Sequence, residues 1–365
     1  MKLFLYFRPV NHEQYIRRCL ELAERGKGYV SPNPMVGAVL VHNDVVIGEG
    51  WHKEYGGPHA EVNCLKSVSP EHKHLITDST MYVSLEPCAH HGKTPPCATR
   101  VVNEQVKRVV ICNVDPFEQV AGKGIEILNN ANIETTTGVL DDAGKWVNRR
   151  FFCYNEYKRP YIILKWAQTQ DGFIAPLNRE RFQITNKQST QLIHKWRTEE
   201  DAIMVGYNTA IHDNPELTAR EWLGNNPLRI VLDKELKLSN DMKLFNNAAE
   251  TWVLNKQQND TVNNVSFVQM DFDKGVVHEV LAELYNARKQ SLIVEGGAVL
   301  LQSFIDAGLW DEARVFTGDV ILKEGIDAPV LANHTHAFDK AIAGDKLDVY
   351  INKESKYPYV DGWGL

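Results

Sequence analysis

No stretch of this chain approaches the roughly 18 consecutive apolar residues of a membrane-spanning helix, which argues against a membrane protein. Its start offers only five apolar residues in a row, Leu3 to Phe7, before Arg8-Pro9 interrupts them; that is too short for the core of a secretory signal. Positive charge is in short supply. Forty Lys and Arg against 47 Asp and Glu give a formal net charge of −7 and a pI near 6.0, which weighs against nucleic acid as the main partner, since phosphate binding usually needs a basic face. Cysteine is sparse: six residues at 19, 64, 88, 97, 112 and 153 do not form a disulfide framework. A reducing compartment, with thiols used for packing or for a metal, fits better, and a cytoplasmic location is the expectation. No internal repeat relates the two halves of the chain.

At 365 residues the chain exceeds the usual single-core size, so two domains of about 150 to 200 residues are expected. In the first half, Tyr15, Cys19, Leu22 and Ala23 fall at helical spacing within residues 12–25, and Gly26 and Gly28 end that helix. Met35 to Val41 reads as a buried strand, and Asn43-Asp44 as a hairpin turn into Val45 to Gly50. A second helix carries His59 to Lys66; Thr80 to Leu85 and Arg108 to Cys112 are further strands. Strands alternating with helices predict a three-layer α/β/α sandwich. Residues 141–160 form a polar and charged junction, with a helix over Val147 to Phe152 closing the first domain.

One group of residues dominates this half: His59-Ala60-Glu61, then Pro87-Cys88, then Cys97. A histidine and two cysteines supply the three protein ligands of a tetrahedral zinc that keeps its fourth position for water. Glu61 stands close enough to move protons beside the metal without ligating it. A lone histidine is more often a hydrogen-bonded structural residue and a lone cysteine a small buried hydrophobe, but H-x-E followed by P-C and a second cysteine is the signature of zinc deaminases acting on amino-substituted pyrimidine and purine rings. The other four cysteines read as packing residues. The usual P-C-x-x-C is stretched here: eight residues, Ala89 to Pro96, separate the cysteines, and His90, His91 and Lys93 within them are suited to binding anions.

The second half carries apolar runs at α/β spacing: Tyr161 to Ala167, Ala202 to Gly206, Leu228 to Asp233, Thr251 to Leu254, and Leu292 to Gly297 leading into a helix over Ala298 to Ala307. Strand, paired glycines and helix N-terminus make a phosphate-binding arrangement, although Gly296-Gly297 alone reads better as a tight turn without a ligand.

Three motifs, Asn33-Pro34-Met35-Val36-Gly37, Pro58-His59-Ala60-Glu61-Val62 and Leu85-Glu86-Pro87-Cys88 through Cys97, are similar to the deaminase half of the RibD family, the bifunctional deaminase–reductases of riboflavin biosynthesis. Asp115-Pro116 and Val120 to Ile125 extend the likeness. Leu164 to Ala167 with Asp171-Gly172, Gly206 with Thr209, Asp213 to Arg220, and Val294 to Gly297 resemble the reductase half. The resemblance covers nearly the whole chain from about residue 12. It implies a cytidine-deaminase-like α/β/α domain over 1–153 that deaminates a phosphorylated pyrimidine with Zn2+, and a dihydrofolate-reductase-like α/β domain over 154–365 that uses NADPH.

Residue by residue, the resemblance implies His59, Cys88 and Cys97 as zinc ligands and Glu61 as the catalytic acid–base. Asn33 would contact the pyrimidine, and His52, His90 and Lys93 the ribose or phosphate. In the reductase half, Gln168, Gln183, Thr209, Asp213, Gly297 and Ala298 would contact the cofactor, while Arg181, Arg197, Leu217, Arg220 and Glu295 would hold the substrate. Here the chain departs from the family pattern. Gln168 precedes Thr169-Gln170-Asp171-Gly172, which stands for the usual Ser-Leu-Asp-Gly, and Arg181-Phe182-Gln183-Ile184-Thr185 for Ser-x-Trp-Ile-Thr. Two other readings are therefore carried alongside: a deaminase with an inactive or altered reductase domain, and a base deaminase acting on nucleic acid. A purely structural zinc protein fits least, since structural sites normally take four protein ligands. Exposed sheet edges make a homo-oligomer the expectation.

Overall fold

The computed structural model describes residues 11–89 and 95–364, so His90 and Lys93 lie outside the described residues. The chain divides into two compact units: one takes the residues up to Glu156 together with those from Val360 onward, the other Tyr157–Tyr359.

In the first unit, α1 (His12–Glu24) precedes the hairpin β1 (Gly37–His42) and β2 (Val45–Trp51). Asn43 and Asp44 turn that hairpin with φ of 47° and 62°, the left-handed pair that short polar side chains tolerate and that matches the strand twist. Then follow α2 (Ala60–Ser67), a 3-10 helix over Pro70–Asp78, β3 (Thr80–Leu85), α3 (Cys97–Asn103), β4 (Arg108–Asn113), α4 (Lys123–Asn130), β5 (Glu134–Thr137), α5 (Asp141–Val147) and α6 (Arg149–Tyr157). The sheet order is β2-β1-β3-β4-β5, antiparallel across the first three strands and parallel thereafter. Alternation along β1 sends Ala38 and Leu40 into a core with Cys64 and Leu65 of α2, Val101 of α3 and Leu128 of α4. On the other face, α1 comes so close to β1 that a Cβ at Gly37 would fall 2.0 Å from Cys19 O. Helices thus cover both faces of the sheet.

The polar run Asp141 to Lys145, expected as part of a junction, is helical instead. Its acidic first turn suits a helix N-terminus, Asn113 Nδ2 donates to Asp141 O and Oδ1, and Trp146 is fully buried. The expected helix over 147–152 is divided at Asn148, whose side chain accepts from Met35 N and donates to Met35 O.

The second unit contains β6 (Tyr161–Gln168), β7 (Phe173–Ala175), α7 (Lys187–Glu199), β8 (Ala202–Val205), α8 (Tyr207–Asp213), β9 (Leu228–Leu232), β10 (Thr251–Asn255), β11 (Asp260–Val262), β12 (Val265–Gln269), α9 (Val276–Asn286), β13 (Ser291–Val294), α10 (Ala298–Asp306), β14 (Glu312–Thr317), β15 (Ile326–Asp327), β16 (His334–Ile342) and β17 (Asp345–Asn352). Ten strands form one sheet in the order β11-β12-β10-β9-β8-β13-β6-β14-β17-β16; the seven from β12 to β14 are mutually parallel. Central strands β8 and β13 are buried throughout, as parallel strands covered on both faces must be, which is why they read as unbroken apolar runs. Among the described residues, no helix is long and apolar enough to cross a membrane.

Candidate functional sites

The zinc-type cluster is assembled by α2 and by the segment following β3. Gly50 lets α2 rest on β2, since a Cβ there would lie 2.2 Å from Cys64 N and 2.6 Å from Ala60 O. Asn63 then locks the start of the helix by donating to Trp51 O and Pro58 O at 2.8 and 3.1 Å. His59 is the residue preceding the helix, not its first turn as the sequence pattern suggested, and Glu61 lies in that turn, 3% exposed. Strand β3 delivers Cys88, and Cys97 opens α3 with its backbone N–H donating to Cys88 Sγ at 3.3 Å.

His59 Nδ1 lies 3.5 Å from Cys88 Sγ and 3.3 Å from Cys97 Sγ, and the three ligand atoms all fall within 4.8 Å of one another. Tetrahedral zinc with ordinary bond lengths sets such N···S edges at about 3.5 Å, so the donor set fits that ion and leaves one position for a non-protein ligand. The hydrogen bond with Cys97 draws the Cys88 thiol down to about 4, and the same bond together with burial drives the Cys97 thiol well up. The interaction with Cys88 raises His59. Burial, then the neighbouring Cys88, pushes the Glu61 carboxyl up to about 7. A divalent cation facing these groups lowers all four, opposing the upward shifts of His59, Glu61 and Cys97 and deepening that of Cys88.

Two of the expected substrate contacts meet beside the cluster. Asn33 Nδ2 and His52 Nε2 are 3.1 Å apart, and the His52 ring stands edge-on to His59 with centroids 5.3 Å apart. In the sequence, Asp115 stands out only as part of the Asp115-Pro116 motif. It is buried beside Cys88, and burial pushes its carboxyl up to about 7. The cysteines read as packing residues are all buried, and burial raises Cys19 and Cys64 and pushes Cys112 up to about 12.

In the second unit, a cavity of about 840 Å³ opens at the carboxyl ends of the parallel strands, where Ala167, Val205, Leu232 and Glu295 line it. Ligands in open α/β sheets bind at such ends, and the volume falls in the range of small-molecule sites. Gln183, Thr209, Asp213, Gly297, Ala298, Arg197, Leu217 and Glu295 all line it; Gln168, Arg181 and Arg220 do not. Gln168 instead accepts from Trp166 Nε1 at 2.9 Å, Arg181 acts electrostatically on Asp213, and Arg220 on His194. Gln183 turns back to donate to Thr185 O.

Gly297 adopts φ +65°, a conformation favouring glycine, and a Cβ there would touch Thr209 Oγ1 at 3.1 Å; it immediately precedes α10. The residues that open α8 and α10 both line the cavity, and helix N-termini are suited to binding phosphate oxygens. In the sequence, Lys165 stands inside an apolar run with no local sign of a functional role. Its ammonium, buried on the cavity wall, lies 4.0 Å from Glu295 Oε2, while Arg197 grips Glu295 through two bonds of 2.8 and 3.4 Å. Burial works to raise the Glu295 carboxyl, but Arg197 and Lys165 outweigh it and hold it below its usual range. Burial lowers the Lys165 ammonium.

Residues 9–113 match the model of the cytidine and deoxycytidylate deaminase zinc-binding region, and residues 160–331 that of the RibD C-terminal domain. The riboflavin biosynthesis protein RibD of Aquifex aeolicus is 40% identical over 319 residues, covering 86% of this chain and 88% of its own. The chain belongs to the RibD family. The Escherichia coli RibD is 33% identical over 87% of this chain and 89% of its own. Among solved structures, a diaminohydroxyphosphoribosylaminopyrimidine deaminase/5-amino-6-(5-phosphoribosylamino)uracil reductase from Thermotoga maritima superposes with a TM-score of 0.86 at 33% identity, covering 93% of this chain and 98% of its own. The RibD of Acinetobacter baumannii does so with 0.84 at 30% identity, over 93% of this chain and 98% of its own. As a RibD-family protein, the chain is a bifunctional riboflavin biosynthesis enzyme with a zinc-binding deaminase domain and a reductase domain.

Proposed function

We propose that the first unit hydrolyses the exocyclic amine of 2,5-diamino-6-ribosylamino-4(3H)-pyrimidinone 5′-phosphate, and that the second reduces the ribosyl group of the product to ribityl with NADPH. The observation that carries the first step is the three-ligand cluster with an acid beside it and one coordination position left over. A zinc ion there supplies the Lewis acidity that makes water a nucleophile near neutral pH. Glu61 takes a proton from the attacking water and delivers it to the ring nitrogen; it then takes the remaining hydroxyl proton as C=O forms and passes it to the amine, so the C–N bond breaks and ammonia leaves. Asn33, oriented by His52, holds the ring; we assign His90 and Lys93 to the phosphate on their residue type and position in the motif.

For the second step, NADPH supplies the hydride. The helix starts at Gly206 and Gly297, with Thr209 between them, suit its phosphates. Reduction places hydride on the sugar C1′ and a proton on the ring oxygen as the C1′–O4′ bond opens. Two groups on the cavity wall can deliver that proton: Asp213, whose carboxyl is raised by partial burial against the pull of Arg181, and Lys165. Arg197 with Glu295 would hold the substrate beside them. The departures at 168, 181 and 183 are compatible with this, since Gln168 and Arg181 do not line the cavity and the Gln183 amide is tied to its own loop.

A two-channel assay on zinc-loaded protein tests both steps: the diaminopyrimidine substrate is supplied with NADPH, and ammonia release and NADPH oxidation are followed together. Oxidation lagging behind ammonia is the expected result. Ammonia without oxidation would remove the proposal for the second unit. A chelator should abolish ammonia release yet leave oxidation intact when the deaminated intermediate is supplied directly.

A further inference from the structure

Immediately before the Pro-Cys pair stands a buried carboxylate that the chemistry above does not use. Glu86 is 3% exposed, and its two oxygens accept four backbone N–H groups: Gly124 at 2.8 Å and Ile125 at 3.1 Å on Oε1, Gly122 at 3.0 Å and Asp115 at 3.2 Å on Oε2. Its own backbone N–H donates to Asn113 O at 2.9 Å. Two of its four donors are the first-turn N–H groups of α4, which helix geometry leaves without internal partners. The carboxylate thereby draws the start of α4 against the Pro87 backbone. A Cβ at Gly124 would lie only 2.0 Å from Pro87 O, so a side chain at that position is excluded as long as the clamp is closed.

We infer that Glu86 is a positioning residue of the deaminase site: by clamping residues 115–125 onto Pro87 it fixes the backbone from which Cys88 reaches the metal. The inference rests on the zinc-deaminase reading of this site. The mode of action is geometric. No bond joins Glu86 to a ligand side chain, and its negative charge close to a thiolate works against metal binding unless the four N–H dipoles offset it.

This sets up opposite signs for two explanations. Glu86→Gln keeps shape and length but replaces one oxygen by an NH2 group. Either amide orientation faces two backbone N–H donors with another donor, so the clamp loses two bonds whichever way the amide turns. If Glu86 positions Cys88, the zinc dissociation constant, read by competition with a chromophoric chelator, rises roughly 10- to 100-fold, the range typical of lost outer support around a metal site. If the charge alone mattered, removing it would favour the thiolate and zinc would bind more tightly. A second variant, Gly124→Ala, leaves the carboxylate in place and pushes on Pro87 O, and it should weaken zinc in the same direction.

Cobalt(II) substitution supplies a spectroscopic readout, since a displaced Cys88 changes the thiolate-to-cobalt absorption. Tighter zinc binding in Glu86→Gln, or dissociation constants within twofold of the parent in both variants with unchanged cobalt spectra, would overturn the inference. If Glu86→Gln does not fold, Gly124→Ala decides alone. The zinc-deaminase reading fails separately, by the parent protein binding zinc without releasing ammonia.

Discussion

Asn33 and His52 form one unit. His52 Nδ1 lies 3.1 Å from Pro58 O, which can only accept, so that nitrogen carries the proton; burial lowers the imidazole pKa, which favours the neutral ring. His52 Nε2 is then an acceptor for Asn33 Nδ2 at 3.1 Å, and this fixes the amide so that Asn33 Oδ1 is the atom left to recognise a ring N–H. Because recognition runs through the pair, Asn33→Ala and His52→Ala should each raise KM for deamination about tenfold with little change in kcat, the loss of about 1.4 kcal/mol of binding. The double variant should cost little more than either single one. Additive losses would show that the two residues contact the substrate independently.

Glu61 is argued to move protons, not to hold metal. Glu61→Ala should therefore retain one zinc per chain by atomic absorption while ammonia release falls by roughly 10²- to 10⁴-fold, the usual contribution of a positioned acid–base group. NADPH oxidation with the deaminated intermediate should stay at the parent rate. Deamination at an undiminished rate in a zinc-loaded Glu61→Ala sample would take Glu61 out of the mechanism.

In the second unit, Glu295 sits between two cations, with the Arg197 pair only 11% and 7% exposed. Removing one partner of such a pair leaves an uncompensated buried charge and costs about 3–5 kcal/mol. Glu295→Gln should therefore lower the stability of the second unit by that amount and reduce NADPH oxidation at least a hundredfold, with ammonia release unchanged. Loss of both activities together would indicate that the two units do not function separately.

The sequence exposed these sites unevenly, for physical reasons. His59, Glu61, Cys88 and Cys97 were legible because zinc chemistry admits few residue types and the motif confines them to short segments. The parallel strands were legible because burial on both faces leaves unbroken apolar runs such as Leu292 to Val294. Lys165 was passed over as a functional group because a lysine inside an apolar run carries no local sign of its partner: Glu295 comes from strand-end pairing far along the chain. Glu86 was hidden for the same reason, since its donors lie at 115 and 122–125 and show only once α4 is in place. The helix over Asp141 to Val147 was missed because the polar run Asp141 to Lys145 masks its buried face of Ala143, Gly144, Trp146 and Val147 in the local pattern.

His194 gives the second unit a predictable response to acid. Its side chain on α7 is 2% exposed, Nδ1 has no hydrogen-bond partner among the described residues, and Nε2 is 3.8 Å from Glu221 Oε1. Burial, then Arg197 and Arg220, pulls the imidazole down to about 4 against the weaker opposing effects of Glu221 and Glu295. An unfolded histidine titrates near 6.5. Between those values the unfolded chain binds a proton that the folded chain refuses, so stability is full above about pH 7 and falls as the pH drops through 6.5 towards 4. At pH 5 the loss from this one group is about 2 kcal/mol. His194→Leu keeps the buried volume and removes the titration. Urea midpoints at pH 7.5 and pH 5.0 should therefore differ more for the parent than for the variant, by that amount. Equal losses would mean that other groups carry the acid sensitivity and that His194 is not held neutral by its surroundings.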